Sequence, residues 1–291
     1  MIVVVGDAGL DVLVKHDGPV EPGGDRKADV RTALGGAGAN TAAWLARNGV
    51  PVTLVGRVGD DPAGRQVTAE LTAAGIRTAL AVDPGEHTCC VAVLVDEHGQ
   101  RTMLSDRGAG TRLRDTDLAP ELLAAAGHLH LSGYVLLDES SRAAGTAMLA
   151  AARAAGLTTS VDPQTAARLP GFLDLVRGTD LLLPNTAELA ALTGSTDPES
   201  AAALLDRVGA VAVTMGAAGA CWVDVHGIIS IPAEMVDCVD STGAGDAFNA
   251  ATLAARQAGL APREALRAGV TAGTAAVRYI GAQPPAAVRS R

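Results

Sequence analysis

The chain has 291 residues, 48% hydrophobic and 19% charged, enough for one large α/β unit or two modest ones. A net charge of −9 and a pI of about 5.1 argue against nucleic acid and anionic membranes as partners, and 2% aromatics leave little for base stacking. No apolar run approaches the ~20 residues of a membrane span, and the four cysteines (Cys89, Cys90, Cys221, Cys238) lack CxxC or Cys/His ligand spacing, which fits a reduced, cytoplasmic protein.

In chain order, MIVVVGDAGLD meets an acid too soon for a signal peptide and predicts a strand over Ile2–Val5. A polar, Gly/Pro-rich stretch, Val12–Thr32, follows Asp11. Helices are predicted over Gly38–Asn48 and Ala63–Ala74, with a strand at Val52–Val55 between them. Thr88–Ser105 reads as two strands, CCVAVLV and QRTMLS, around the turn Asp96-Glu97-His98-Gly99. Such a hairpin cannot be a βαβ unit, and alternation puts Cys89 and Cys90 on opposite faces. Strands at Leu129–Leu131, Thr158–Val161, Leu181–Leu183 and Val211–Thr214 then alternate with helices at Ser140–Ala155, Thr186–Thr193 and Glu199–Val208. Two helices, Asp246–Ala258 and Pro262–Tyr279, close the chain. The fold class is therefore α/β, with a mostly parallel central sheet covered by helices on both faces. The segments near 12–32 and 88–107 form a small antiparallel sheet inserted into a single domain, 1–291.

The stretch Asp240-Ser241-Thr242-Gly243-Ala244-Gly245-Asp246 opens the first closing helix. A small-residue turn at a helix start aims unpaired N–H groups at one point, where the helix dipole also favours negative charge. A carboxylate at the rim of that anion hole would repel a bound phosphate. It makes sense as a base that takes a proton from a hydroxyl while the amides hold a transferring phosphoryl group. The other reading is a glycine turn with an Asp helix cap.

Further small-residue turns lie near strand ends. Leu34-Gly35-Gly36-Ala37-Gly38-Ala39-Asn40 opens a helix but lacks the strand-tight register of a dinucleotide fingerprint. Gly56–Gly64, Pro184-Asn185-Thr186-Ala187-Glu188 and Thr214–Ala220 each follow a strand, and no GxxxxGK[ST] loop is present. In this order, from about Met1 to Gln283, these segments resemble the ribokinase-like (PfkB) carbohydrate kinases.

The resemblance implies a ribokinase-like fold with a small β-sheet lid over the sugar, ATP in a groove of the main body, Mg²⁺, and transfer of the γ-phosphate to a sugar hydroxyl. It casts Asp246 as general base and the backbone of Gly243, Ala244 and Gly245 as the anion hole. Asn185 and Glu188 match the pair that organises Mg²⁺ and phosphate through water, with Asn185 also readable as a helix N-cap. Thr214, Gly216 and Gly219 match the nucleotide loop. Asp11, Gly35, Gly36 and Asn40 match the sugar site, with Asp7 ranked below Asp11 as a strand-end acid. Asp162 ends a strand at the same edge, within reach of Mg²⁺ waters, and Asp60 reads as a helix cap. Asp240 and Thr242 match half of a K⁺ site, whose other half, Gly281-Ala282-Gln283-Pro284, is followed by Pro285 where ribokinases often carry a hydroxyl.

Arg107 has two readings: a clamp for a substrate carboxylate, such as that of 2-keto-3-deoxygluconate, or an ion pair with Asp106, Asp115 or Asp117. The function expected is an ATP-dependent kinase of a small sugar, ribose or a ketohexose. Alternatives are a nucleoside or pseudouridine kinase, and a non-catalytic sugar-binding protein on the same fold, which would need none of Asp246, Asn185 and Glu188. The exposed small sheet is the expected homodimer surface.

Overall fold

The computed structural model describes residues 1–98 and 100–285, so Gly99 of the expected hairpin turn lies outside the described residues. The strands are β1 (Ile2–Val5), β2 (Gly9–Lys15), β3 (Asp29–Gly35), β4 (Val52–Gly59), β5 (Arg77–Asp83), β6 (Cys89–Val95), β7 (Arg101–Asp106), β8 (His128–Ser132), β9 (Thr158–Asp162), β10 (Leu181–Leu182), β11 (Ala210–Thr214), β12 (Ala220–Asp224) and β13 (Gly227–Ile231). The helices are α1 (Ala37–Arg47), α2 (Pro62–Ala73), α3 (Pro120–Ala125), α4 (Tyr134–Leu137), α5 (Glu139–Ala154), α6 (Phe172–Leu175), α7 (Thr186–Thr193), α8 (Ala244–Gln257) and α9 (Pro262–Ala276).

Among the described residues, nine strands form one sheet in the order β13-β12-β11-β10-β9-β8-β1-β4-β5. Pairing is parallel from β5 through β11 and antiparallel over the last two strands. The two-residue periodicity of β1 sorts the core. Ile2 and Val4 face one side, against α1, α8 and α9; Val3 and Val5 face the other, against α5, α6 and α7. All four side chains are fully buried, which is why these strands read as unbroken apolar runs.

The expected small sheet is present as β3-β2-β6-β7. Its outer pairs are antiparallel and its central pair, β2 with β6, is parallel, because both strands leave the main body in the same direction. Its strands reach back to Gly9 and Gly35, beyond the polar stretch that marks it in the sequence. Cys89 is buried and Cys90 half-buried, as alternation predicts.

Two local expectations are corrected and one strand was not anticipated. Glu199–Val208 is not an α-helix: Pro198–Leu204 winds as a 3₁₀ helix, with Ala201 and Leu204 buried three residues apart. The last helix stops at Ala276 instead of Tyr279, because the Val277 carbonyl accepts from the N–H groups of Val239 and Asp240, at 2.8 and 3.1 Å. Edge strand β5 has a half-exposed pattern and no continuous apolar run to announce it.

At that edge Arg57 is buried between two acids. Its Nε and Nη2 donate to Asp117 at 2.6 and 3.0 Å, and its Nη1 donates to Asp83 at 3.1 Å. Removing one partner from a buried charged group leaves an uncompensated charge. Asp117→Ala is therefore expected to lower unfolding free energy by about 3 kcal/mol or more, read from urea denaturation midpoints.

Candidate active site

The carboxyl ends of the parallel strands converge on one edge, where open α/β sheets place ligands. Asp7 follows β1, Ser132 and Asp162 end β8 and β9, Asn185 follows β10, and Thr214 ends β11. The first turn of α8 faces this edge.

Helix α8 begins at Ala244, two residues before the expected start, so the small-residue turn is itself the helix N-terminus. Gly243 is the N-cap at φ 74°, and a Cβ there would run into the backbone of Ala282. Ala244, Gly245 and Asp246 make the first turn; the Ala244 N–H has a long bond to the Ser241 carbonyl at 3.3 Å, and the N–H groups of Gly245 and Asp246 lie where no preceding helical turn supplies carbonyls. Ala244 and Gly245 line a cavity of about 480 Å³, while Gly243 supports them from behind.

Asp246 stands on the other side of the same turn. Its Oδ2 accepts from Asn40 Nδ2 at 3.2 Å and its Oδ1 from Thr41 Oγ1 at 3.3 Å. Gln283 Nε2 donates to Asn40 Oδ1 at 2.7 Å and so fixes which way the Asn40 amide points. Asn40, expected as a sugar ligand, is thus spent chiefly on Asp246. Burial pushes the Asp246 carboxyl up to about 7, against the lowering effect of the Asn40 and Thr41 bonds and with a further push from Asp7.

The cavity wall opposite is Asp162, Asn185 and Glu188, with Thr214, Gly216 and Gly219 at one end. Asn185 caps α7 as the alternative reading expected: its Oδ1 accepts from Glu188 N at 2.9 Å, and Glu188 Oε2 accepts from Asn185 N at 2.8 Å. Gly219, at φ 95°, lies against Pro232 and Ala233, where a Cβ would find no room. Asp162 accepts from Asn249 Nδ2 at 2.8 Å, and burial followed by the charges of Glu188 and Asp246 raises its pKa well above the ordinary value. Burial raises Glu188 as well. A hydrated divalent cation would relieve the like charges of these two carboxylates and fits beside them with a phosphate chain.

Among the residues expected to hold a sugar, the Asp11 carboxyl is raised to about 6 by burial and then by Asp7. Gly35 leaves room for the Asp11 carboxylate, which a Cβ would meet, and Gly36 is the N-cap of α1 at φ 96°. Asp7 is no solvated strand-end acid, since it accepts from Ala37 N, Gly38 N and Ser132 Oγ at 3.3, 3.4 and 3.3 Å. Arg107 pairs with none of the three expected acids. Its partner is Asp138, at 2.9 Å, its Nη2 donates to the Tyr134 carbonyl, and it lies 4.6 Å over the Tyr134 ring. Asp117 is unavailable because Arg57 holds it. The cap of α2 is Asp61, not Asp60, which pairs with Arg65 at the surface.

At the residues matched to a K⁺ site, the Asp240 carboxylate and the Thr242 hydroxyl are already engaged by a cationic side chain. Arg101, from the small sheet, donates through Nη2 to Asp240 Oδ1 and through Nη1 to Thr242 Oγ1. The other Asp240 oxygen accepts from Gly281 N at 2.9 Å.

Sequence reasoning missed Arg101, Thr41 and Gln164. Gln164 is the one non-glycine among the described residues at positive φ, 49°, and its Oε1 accepts from Ser132 Oγ and Tyr134 N. Only its place after Asp162-Pro163 hints at a turn.

The description "pfkB family carbohydrate kinase" belongs to a family model that matches residues 1–289. The chain is 34% identical to a fructokinase of Klebsiella pneumoniae, over 87% of this chain and 83% of that one. It is 32% identical to an ATP-dependent ribose-1-phosphate kinase of Halopiger xanaduensis, over the same shares. A ribokinase of Arabidopsis thaliana solved with ribose and ATP superposes with a TM-score of 0.83 at 28% identity, over 97% of this chain and 95% of that one.

The Asp246 shift has a sign that can be tested. Between about pH 4 and 7 the folded protein holds a proton there that the unfolded chain releases, so this group's contribution to stability falls as pH rises through that window. Asp246→Asn removes the penalty. The variant should melt higher than wild type at pH 8, with the gap closing toward pH 4, in paired thermal melts.

Proposed function

The chain belongs to the pfkB family of carbohydrate kinases, and we propose that it transfers the γ-phosphoryl group of ATP to a hydroxyl of a small neutral sugar of ribose or ketohexose type, with Asp246 as general base. The observation that carries this is the place of Asp246: it stands on the first turn of α8, beside Ala244 and Gly245 of the cavity, with its carboxylate held by Asn40 and Thr41 and raised to about 7 by burial and by the charge of Asp7. A base poised near neutrality can take a hydroxyl proton and give it up again.

In this reading the triphosphate lies in the cavity between Thr214, Gly216 and Gly219 and the α8 N-terminus, with the base against the apolar wall of Val236, Val270 and Val277. The sugar lies between Asp11, Gly35, Gly36 and the small sheet, which acts as a lid that excludes water. Asn40 and Thr41 hold the Asp246 carboxylate toward the acceptor hydroxyl. The hydroxyl proton passes to Asp246, the oxygen bonds to the γ-phosphorus, and the β–γ bridging bond breaks with its electrons leaving on ADP. Amides of Ala244 and Gly245, with Gly243 setting the turn, stabilise the charge spread over the transferring group. Glu188 and Asn185, with Asp162, would hold Mg²⁺ through water. When bound, that ion neutralises phosphate charge.

Arg107 favours a neutral sugar over an acidic one. Its charge acts beside Asp7 and Asp11 but is already balanced by Asp138, so the pocket as a whole is acidic. The relatives named fructokinase and ribokinase support a neutral sugar, whereas the one named ribose-1-phosphate kinase makes a phosphorylated pentose the competing acceptor to be tested. The free state of Cys89, Cys90, Cys221 and Cys238 supports a reducing, cytoplasmic setting.

The test is ADP release with Mg-ATP against ribose, fructose, ribose 1-phosphate, ketoacid sugars and nucleosides. One neutral sugar should turn over, and Asp246→Asn should lose at least ~10²-fold in kcat while still binding ATP. Near-normal turnover in that variant would remove Asp246 as base, and turnover of nucleosides alone would reassign the acceptor.

The small sheet is proposed as a homodimer surface, since Val30, Met103 and Leu104 on its strands are more than half exposed. Light scattering at micromolar concentration should give twice the chain mass; a monomer would exclude this surface as a stable interface.

A further inference from the structure

Arg101 opens β7, the outer strand of the small sheet, just past the tip of its hairpin. It nevertheless touches a loop 139 residues later in the chain, four residues ahead of the α8 helix. Its side chain is about three-quarters buried, and the Asp240 side chain is 9% exposed. The planar fork suits this pocket: one terminal nitrogen meets the Asp240 carboxylate and the other the Thr242 hydroxyl. Thr242 N also donates to Asp240 Oδ1 at 2.7 Å, and Gly281 N to Oδ2. Burial alone would raise the Asp240 pKa, but these hydrogen bonds and the Arg101 charge hold it below the ordinary carboxylate range. Both oxygens of the carboxylate are thus engaged by hydrogen-bond donors.

A dissolved monovalent cation at Asp240 and Thr242 would have to share one carboxylate with a guanidinium already in contact with it. Like charges in a partly desolvated pocket repel strongly. We infer that Arg101 is the resident cation of the Asp240–Thr242 pocket, carried on the lid, so that the charge beside the anion hole arrives with lid closure instead of from dissolved K⁺. This rests on the kinase reading above for its catalytic meaning, though not for the ion pair itself.

The consequence follows from position. Asp240 is tied through its own backbone N–H to the Val277 carbonyl and through its carboxylate to Gly281. Ala282 in turn packs against Gly243, the residue that sets the α8 N-terminus. Arg101 is therefore a positioning residue: it fastens the lid to the loop that shapes the phosphoryl site, without touching the reacting atoms. Opening the lid removes a cation from that loop, and closing it returns the cation.

The experiment uses wild type, Arg101→Gln and Arg101→Lys in K⁺ or tetramethylammonium chloride at equal ionic strength. The first readout is thermal unfolding without substrates. Wild type should melt at the same temperature in both salts, whereas Arg101→Gln should melt higher in K⁺, because its Asp240 carboxylate is left without a cation. The second is steady-state turnover with the best sugar. Wild type should be indifferent to K⁺. Arg101→Gln should lose about tenfold or more in kcat, with the ATP KM little changed, and should be partly rescued by K⁺ or millimolar guanidinium chloride. Arg101→Lys should keep the K⁺ indifference. Wild-type stabilisation or activation by K⁺ would overturn the inference, as would an Arg101→Gln protein with wild-type kcat. Wild type inactive on every sugar would count against the kinase reading, while the melting comparison would still decide whether Arg101 holds the cation position.

Discussion

The site depends on a carboxylate held where burial resists its charge. Asp246 lies in the first turn of α8, and its two oxygens receive hydrogen bonds from neighbouring residues of α1. The packing of α1 on α8 is therefore part of the chemistry. Residues 281–283 fasten the pair: Gly281 bonds Asp240, Ala282 accepts from Trp44 Nε1 at 2.9 Å and packs on Gly243, and Gln283 orients Asn40. A segment without regular structure thus sets the geometry of two helices and one turn.

Electrostatics divides the sheet edge into two compartments. On one side burial raises both Asp162 and Glu188, and the Glu188 charge raises Asp162 further, so that side would favour a cation and the phosphates it accompanies. On the other, Asp7 raises Asp11 and Asp246, making a polar, acidic pocket suited to accept hydrogen bonds from hydroxyls. The α8 N-terminus lies between them, where its unpaired amides and dipole favour negative charge passing from one compartment to the other. In the proposed reaction this is the path of the phosphoryl group.

The small sheet is anchored at both ends of β7. Arg101 at the hairpin tip reaches Asp240 and Thr242, and Arg107 just beyond the strand reaches Asp138 and stacks on Tyr134. Both ion pairs are partly exposed, whereas Leu10 and Leu34, near the roots of β2 and β3, belong to a buried cluster of the main sheet, so the base of the small sheet is rooted in the core and its outer strand is held by the arginines.

Much of this was legible in the sequence. The unbroken apolar runs gave a parallel sheet because each such strand is covered on both faces, and β1 matches its expected bounds residue for residue. The glycines announced the turns at Gly243 and at Gly216–Gly219 because positive φ restricts those positions to glycine, and close backbone approach does so at Gly243 and Gly219. Asn185 and Glu188 were readable as a capping pair because that interaction is local in sequence. Tertiary structure decided what is not local. It spent Asn40 on Asp246, gave Arg107 to Asp138 after Arg57 had taken Asp117, and brought Arg101 to Asp240. An ion pair between residues 139 apart leaves no periodicity in the chain, and a long flexible side chain can choose among several acids until the packed elements leave only one within reach.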